Sequence, residues 1–163
     1  MIKQRGFTLL EILVVVLIIG IVVSMATLAI HDDPVQRART EVERFGALVT
    51  LASQEAVLQS REIAVEFATD GYKFLVFEDG GWADPKDDMF RARTLPRDLE
   101  LQISIDGEVV KFEADKDAKG HEPRIYLLSG GEMTPFELTV RNTAGNASYR
   151  VRGDLGGKLA FSG

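Results

Sequence analysis

Few side chains in this sequence fall into spacings that do chemistry. The two histidines, His31 and His121, lie far apart in the chain. No His-x-x-x-His pair offers a metal two ligands from one helix face, and both read as solvated loop residues. No serine stands in Gly-x-Ser-x-Gly, and Gly80-Gly81, Gly130-Gly131 and Gly156-Gly157 are separate turns rather than a phosphate cradle. Asp79, Asp84, Asp87 and Asp88, and again Asp115 and Asp117, present hard oxygens of the kind calcium takes. Neither group has the spacing of an EF-hand loop, so no metal and no cofactor is assigned. Cysteine is absent, which removes disulfides, thiol nucleophiles and iron–sulfur clusters. Asn146-Ala147-Ser148 is formally a glycosylation sequon and reads as a turn. These patterns argue against an enzyme. The side chain that stands out is Glu11, the only charge in the apolar run from Phe7 to Ile30, FTLLEILVVVLIIGIVVSMATLAI.

That run must position Glu11. As a helix it would extend about 36 Å at ~1.5 Å per residue, enough to cross a hydrocarbon core of about 30 Å. Lys3 and Arg5 precede it, and Asp32 and Asp33 come after it. The positive-inside bias then keeps the N-terminus cytoplasmic and sends the remaining chain outward. Three readings compete. A cleaved secretory signal has a shorter apolar region and a small-x-small site at its end, whereas Ser24-Met25-Ala26 sits within the run. A plain signal anchor fits the length but leaves Glu11 unexplained, because a membrane carboxylate costs about 2–3 kcal/mol on insertion scales and needs a partner. The third reading supplies that partner.

Gly6-Phe7-Thr8-Leu9-Leu10-Glu11 resembles the processing site of type IV pilins and type II secretion pseudopilins. The resemblance implies that a prepilin peptidase cleaves between Gly6 and Phe7, and that Phe7 is N-methylated. It makes Glu11 the fifth residue of the mature chain. Cleavage creates a cationic amine one helical turn from Glu11. In a packed filament, the amine of an incoming subunit pairs with Glu11 of one already in place. Such a pair acts as a register device, since an uncompensated buried charge costs about 3–5 kcal/mol. The plainer alternative is that Glu11 snorkels to the headgroups and pairs with nothing specific.

Of 163 residues, 19 are basic and 25 acidic, a net charge of −6. Without Lys3 and Arg5 the balance is −8, and no basic cluster with interleaved aromatics appears, so a nucleic-acid surface is excluded. Beyond the anchor lies one domain of about 130 residues, ample for a single core. His31-Asp32-Asp33-Pro34 is a break, with Asp33 a candidate N-cap and Pro34 suited to a first helical turn. From Val35 to about Arg61 the apolar residues Val35, Ala38, Val42, Phe45, Val49, Ala52 and Ala56 recur three and four apart, which predicts an amphipathic helix. Gly46 marks a close approach or slight bend. Thereafter strands are predicted. Ile63, Val65 and Phe67 alternate with Ala64, Glu66 and Ala68, and Asp70-Gly71 turns into 72–77. Residues 79–85 read as a loop. Leu99, Leu101, Ile103 and Ile105 alternate with polar residues and pair through Asp106-Gly107 with 109–113. A polar loop over 114–123 precedes strands at 124–128, 136–140, 148–152 and 158–161, with turns at 129–131 and 142–146. The divisions are therefore 1–6, a leader; 7–30, a transmembrane helix; 31–62, an amphipathic helix; and 63–163, an antiparallel β domain packed on helix 35–61. This is an α+β architecture with a long N-terminal helix, membrane-spanning in its first half, packed on antiparallel sheet.

The pilin-like start, the cysteine-free strand-rich second half and Ser129-Gly130-Gly131-Glu132-Met133-Thr134-Pro135-Phe136 before a closing hairpin resemble the H-type minor pseudopilins of type II secretion. That resemblance implies a pilin-like fold, a single-pass inner-membrane anchor and a periplasmic head. It also implies assembly at or near the tip of a pseudopilus that helps export folded proteins through the outer membrane. The implied partners are other minor pseudopilins, the major pseudopilin, the prepilin peptidase, the inner-membrane assembly platform and secreted substrates. Two rivals stay open: a minor pilin of type IV pili or DNA uptake, and a membrane-anchored binding module. On the head, Trp82 with Asp84, Asp87 and Asp88 is the candidate partner-contact loop; the alternative is that Trp82 is buried and closes the core.

Overall fold

The computed structural model describes residues 9–29, 34–112, 123–145 and 147–163. It divides into two units, Met1–Asp33 and Pro34–Gly163. The first contains α1, Leu9–Ala29.

In the second unit the helix expected over 35–61 is α2, Pro34–Gln59. Proline at its first position has no N–H to leave unpaired, and its fixed φ suits a helix start. Ala38, Val42, Phe45, Val49, Ala52 and Ala56 are buried as the three–four spacing requires, and Leu48 joins them. The helix stops at Ser60, whose φ is +50°. Ser60 N–H donates to Val57 O and Arg61 N–H to Ala56 O, at 3.3 and 3.0 Å. This is a Schellman closure with serine where glycine is usual.

Two wholly antiparallel sheets complete the unit. The first has the order β3-β2-β1-β7, built from Gly81–Ala83 (β3), Gly71–Glu78 (β2), Ile63–Ala68 (β1) and Arg124–Leu127 (β7), and Arg93–Thr94 (β4) also pairs with β2. The second has the order β10-β9-β8-β5-β6, from Leu159–Ser162 (β10), Ser148–Gly153 (β9), Phe136–Asn142 (β8), Leu99–Ile105 (β5) and Glu108–Val109 (β6). One core joins both sheets to α2. Phe45 is its hub, with ring centroids 5.8 Å from Phe67 and 4.9 Å from Tyr72 in the first sheet, and 5.8 Å from Phe136 in the second. Aromatic pairs at these separations add to the area they bury. Leu159 and Phe161 lie beside Gly46, where a Cβ would stand 2.4 Å from the Phe161 ring, so the expected close approach is there.

The structure departs from the sequence pattern in four places. β1 does not alternate, because Ala64 and Glu66 on its outer side are buried as well. Residues 81–83, read as loop, form β3, since Asp79 and Gly80 both take positive φ (51° and 81°) and fold a tight hairpin onto β2. The hairpin strand expected after β5 is only Glu108–Val109, although its turn is built the same way, with φ of 52° at Asp106 and 85° at Gly107. Asn142, read as turn, ends β8 and is buried.

Candidate assembly surfaces

Glu11 sits in the first turn of α1, where the helix dipole favours a carboxylate. Gly6 and Phe7, the expected cleavage pair, lie outside the described residues, as do Asp33, His31, His121, Asp115, Asp117, Asn146 and residues 113–122. From Leu9 to Ser24 every side chain of α1 is exposed, and even Val14, the most covered of the large apolar ones, keeps 40% of its surface. A Cβ at Gly20 would meet nothing within 4 Å. A helix apolar on nearly all sides leaves no face suited to water. Among the described residues no helix is long and apolar enough to cross a membrane.

The head presents a different surface. Trp82 on β3 is half-buried, 5.2 Å from the Phe77 ring and 5.6 Å from the Tyr126 ring. The register puts Leu75, Ala64 and Tyr126 in one row across β2, β1 and β7, with Phe77 and Trp82 paired beside it. The indole thus leans over the outside of the first sheet, the side on which Ala64 and Leu75 are buried. Trp82 neither projects from a loop nor closes the central core. The acidic residues are not gathered around it into a site. Asp87 caps the 3-10 turn Asp88–Phe90 by accepting from Met89 N–H at 2.9 Å, and Asp84 and Asp88 are exposed. Phe90 is driven inward against Phe74. Among the described residues no group of His, Cys, Asp or Glu is placed to hold a metal.

Farther along the same outer face Glu66 is buried between Lys73, at 2.7 Å, and Arg124. Burial alone would push its carboxyl up, but the hydrogen bonds and charges of Lys73 and Arg124 outweigh that and hold it below the usual range. Tyr72, with its ring in the core, is pushed up to about 12 by burial, then by Glu41.

The Ser129–Phe136 stretch carries the chain from the first sheet to the second. Glu62 accepts from Ser129 Oγ at 2.9 Å and from Ser129 N–H at 3.2 Å, and Gly131 takes a φ of +93°. Thr134 then covers the outer edge of β7: its N–H donates to Tyr126 O, and its Oγ1 accepts from Tyr126 N–H. Met133 is buried, and a Cβ at Gly153 would stand 2.9 Å from its sulfur and 2.4 Å from Phe136. The motif that suggests a family is thus a folding element. Glu62, whose acceptor role fixes it, gives no signal in the sequence beyond being an acidic residue after a helix.

Residues 41–157 match the family described as Type II transport protein GspH, and residues 1–27 match the prokaryotic N-terminal methylation motif. The chain is 32% identical to the type II secretion system protein H of Pseudomonas aeruginosa, over 84% of this chain and 83% of that one. It is 31% identical to the protein H of Klebsiella pneumoniae, over 93% and 94%. The structure of the minor pseudopilin EpsH from the type 2 secretion system of Vibrio cholerae superposes with a TM-score of 0.65 and 26% identity, covering 77% of this chain and 94% of that one.

Proposed function

The chain belongs to the type II transport protein GspH family, and from that membership we propose that it is a structural minor pseudopilin of a type II secretion system. The family match favours this over a type IV or DNA-uptake pilin and over a free-standing binding module. The supporting observation within the molecule is α1, a helix apolar on every described side but for Glu11. Its burial partners are lipid before assembly and the helices of other subunits after it.

In this reading the peptidase hydrolyses the Gly6–Phe7 peptide bond on the cytoplasmic side, and a methyl group is transferred to the new Phe7 amine. Residues 7–30 anchor the chain once across the inner membrane, with the Pro34–Gly163 head in the periplasm. Assembly moves the helix from lipid into a bundle, where Glu11 faces the amine of a neighbouring subunit. Major and minor pseudopilins are then the partners, with the subunit at or near the tip. The chain's own contribution is mechanical, because it positions and transmits rather than catalyses. Intact mass of protein extracted from its native membrane tests the first step. A loss equal to Met1–Gly6 and a gain of one methyl is expected, and Gly6→Val should abolish both. Full-length mass with the peptidase present would refute the maturation pathway and leave a tethered binding domain.

A further inference from the structure

We propose that the open edge of β10 receives an extended segment of a partner protein whose side chains alternate between apolar and acidic. The four sheet margins differ. At the first sheet β7 is covered by Thr134, and β3 has three residues and runs into Asp84-Pro85. At the second sheet β6 has two residues. β10, Leu159-Ala160-Phe161-Ser162, has neither charge nor proline, and among the described residues no segment pairs with its outer edge and no backbone hydrogen bond takes its outward groups. Natural edges are normally blunted by those devices, and an unblunted one is a template for strand addition.

The side chains beside it specify the guest. Leu159 and Phe161 turn inward beside Gly46 of α2, and Phe161 is still 54% exposed. A strand added here would set every second residue over Phe161 and α2, where apolar side chains fit. On the opposite face β10 offers only Ala160 and Ser162, paired in register with Arg152 and Arg150. Those two guanidiniums share one carboxylate, Glu137, so the row carries an excess positive charge in a chain whose net charge is −6. Small residues at 160 and 162 leave both arginines room to reach acidic side chains on the added strand. Bidentate arginine–carboxylate pairing supplies register as well as attraction. This inference does not rest on the secretion reading.

The probe is a fluorescein-labelled hexapeptide of alternating valine and glutamate, titrated against the full chain in nonionic detergent by anisotropy. Hydrogen exchange of residues 159–163 is monitored in parallel. Saturable binding is expected, weakened at least about tenfold by a change of roughly 1.4 kcal/mol when Arg150→Glu and Arg152→Glu are combined. Exchange over 159–163 should slow with the native protein. The same peptide with lysine for glutamate should not bind, a control that needs no variant to fold. Equal binding of the lysine peptide, unchanged exchange over 159–163, or no saturation by ~1 mM, which corresponds to about −4.1 kcal/mol, would overturn the assignment.

Discussion

In α1 every described side chain from Leu9 to Ser24 faces outward, whereas in α2 Ala38, Phe45, Val49, Ala52 and Ala56 are wholly buried by the same chain. Both are long helices rich in small and branched apolar residues, yet their patterns assign them different surroundings. α2 gathers its apolar residues on one stripe and gives the rest to ion pairs such as Arg39–Glu43 and Arg44–Glu41. Among the described side chains of α1 only Glu11 and Ser24 are polar, so the helix has no polar face to match that of α2. The molecule thus separates an element whose described apolar side chains stay exposed from a head that buries a core of its own.

Variants should respect that separation. Phe45→Ala, at the hub between both sheets, is expected to cost about 3–5 kcal/mol by leaving a cavity, seen as a lower denaturant midpoint for the head. Gly153→Ala should cost about 1–3 kcal/mol, because Phe136 and Met133 lie in the buried core and cannot swing aside freely. Glu66→Gln should cost about 1 kcal/mol near neutral pH, since Lys73 and Arg124 keep part of their hydration. The sign comes from a carboxyl held low in the folded state. Its contribution is present above the unfolded value of about 4.3 and is lost as pH falls through the folded one. The native head should therefore lose stability on acidification below that range more steeply than the glutamine variant. Ser60→Gly should raise stability by about 0.5–1 kcal/mol, the strain of a left-handed serine at the end of α2. None of these should alter processing at residues 6 and 7. A head variant that folds normally but blocks maturation would show that the head and the N-terminal segment do not act separately.

Much of the fold is legible in the sequence because period and spacing are local. The α2 stripe comes from three–four recurrence, the β5 and β8 faces from alternation, and the match to the N-terminal methylation motif from the glycine, phenylalanine and glutamate spacing. The features that escape depend on distant partners. Ala64 and Glu66 are buried on the side where Trp82 leans in from β3 and where Lys73 and Arg124 close on a carboxylate, and no period in β1 encodes either. β3 is hidden because three residues are too few to show alternation. Ser60 carries no mark of the left-handed turn it must make. At the candidate loop, aspartates that look like a cluster in sequence are spread over caps and solvent by the 3-10 turn.

In the proposed function α1 assembles through Glu11, and the head folds independently of it. The direct measurement is co-purification of the Glu11→Leu protein with other pseudopilins from native membranes, beside its unfolding midpoint and its intact mass. Normal cleavage and methylation, an unchanged midpoint and a several-fold loss of co-purifying subunits are expected. Recovery of partners equal to the parent's, at matched expression, would contradict it.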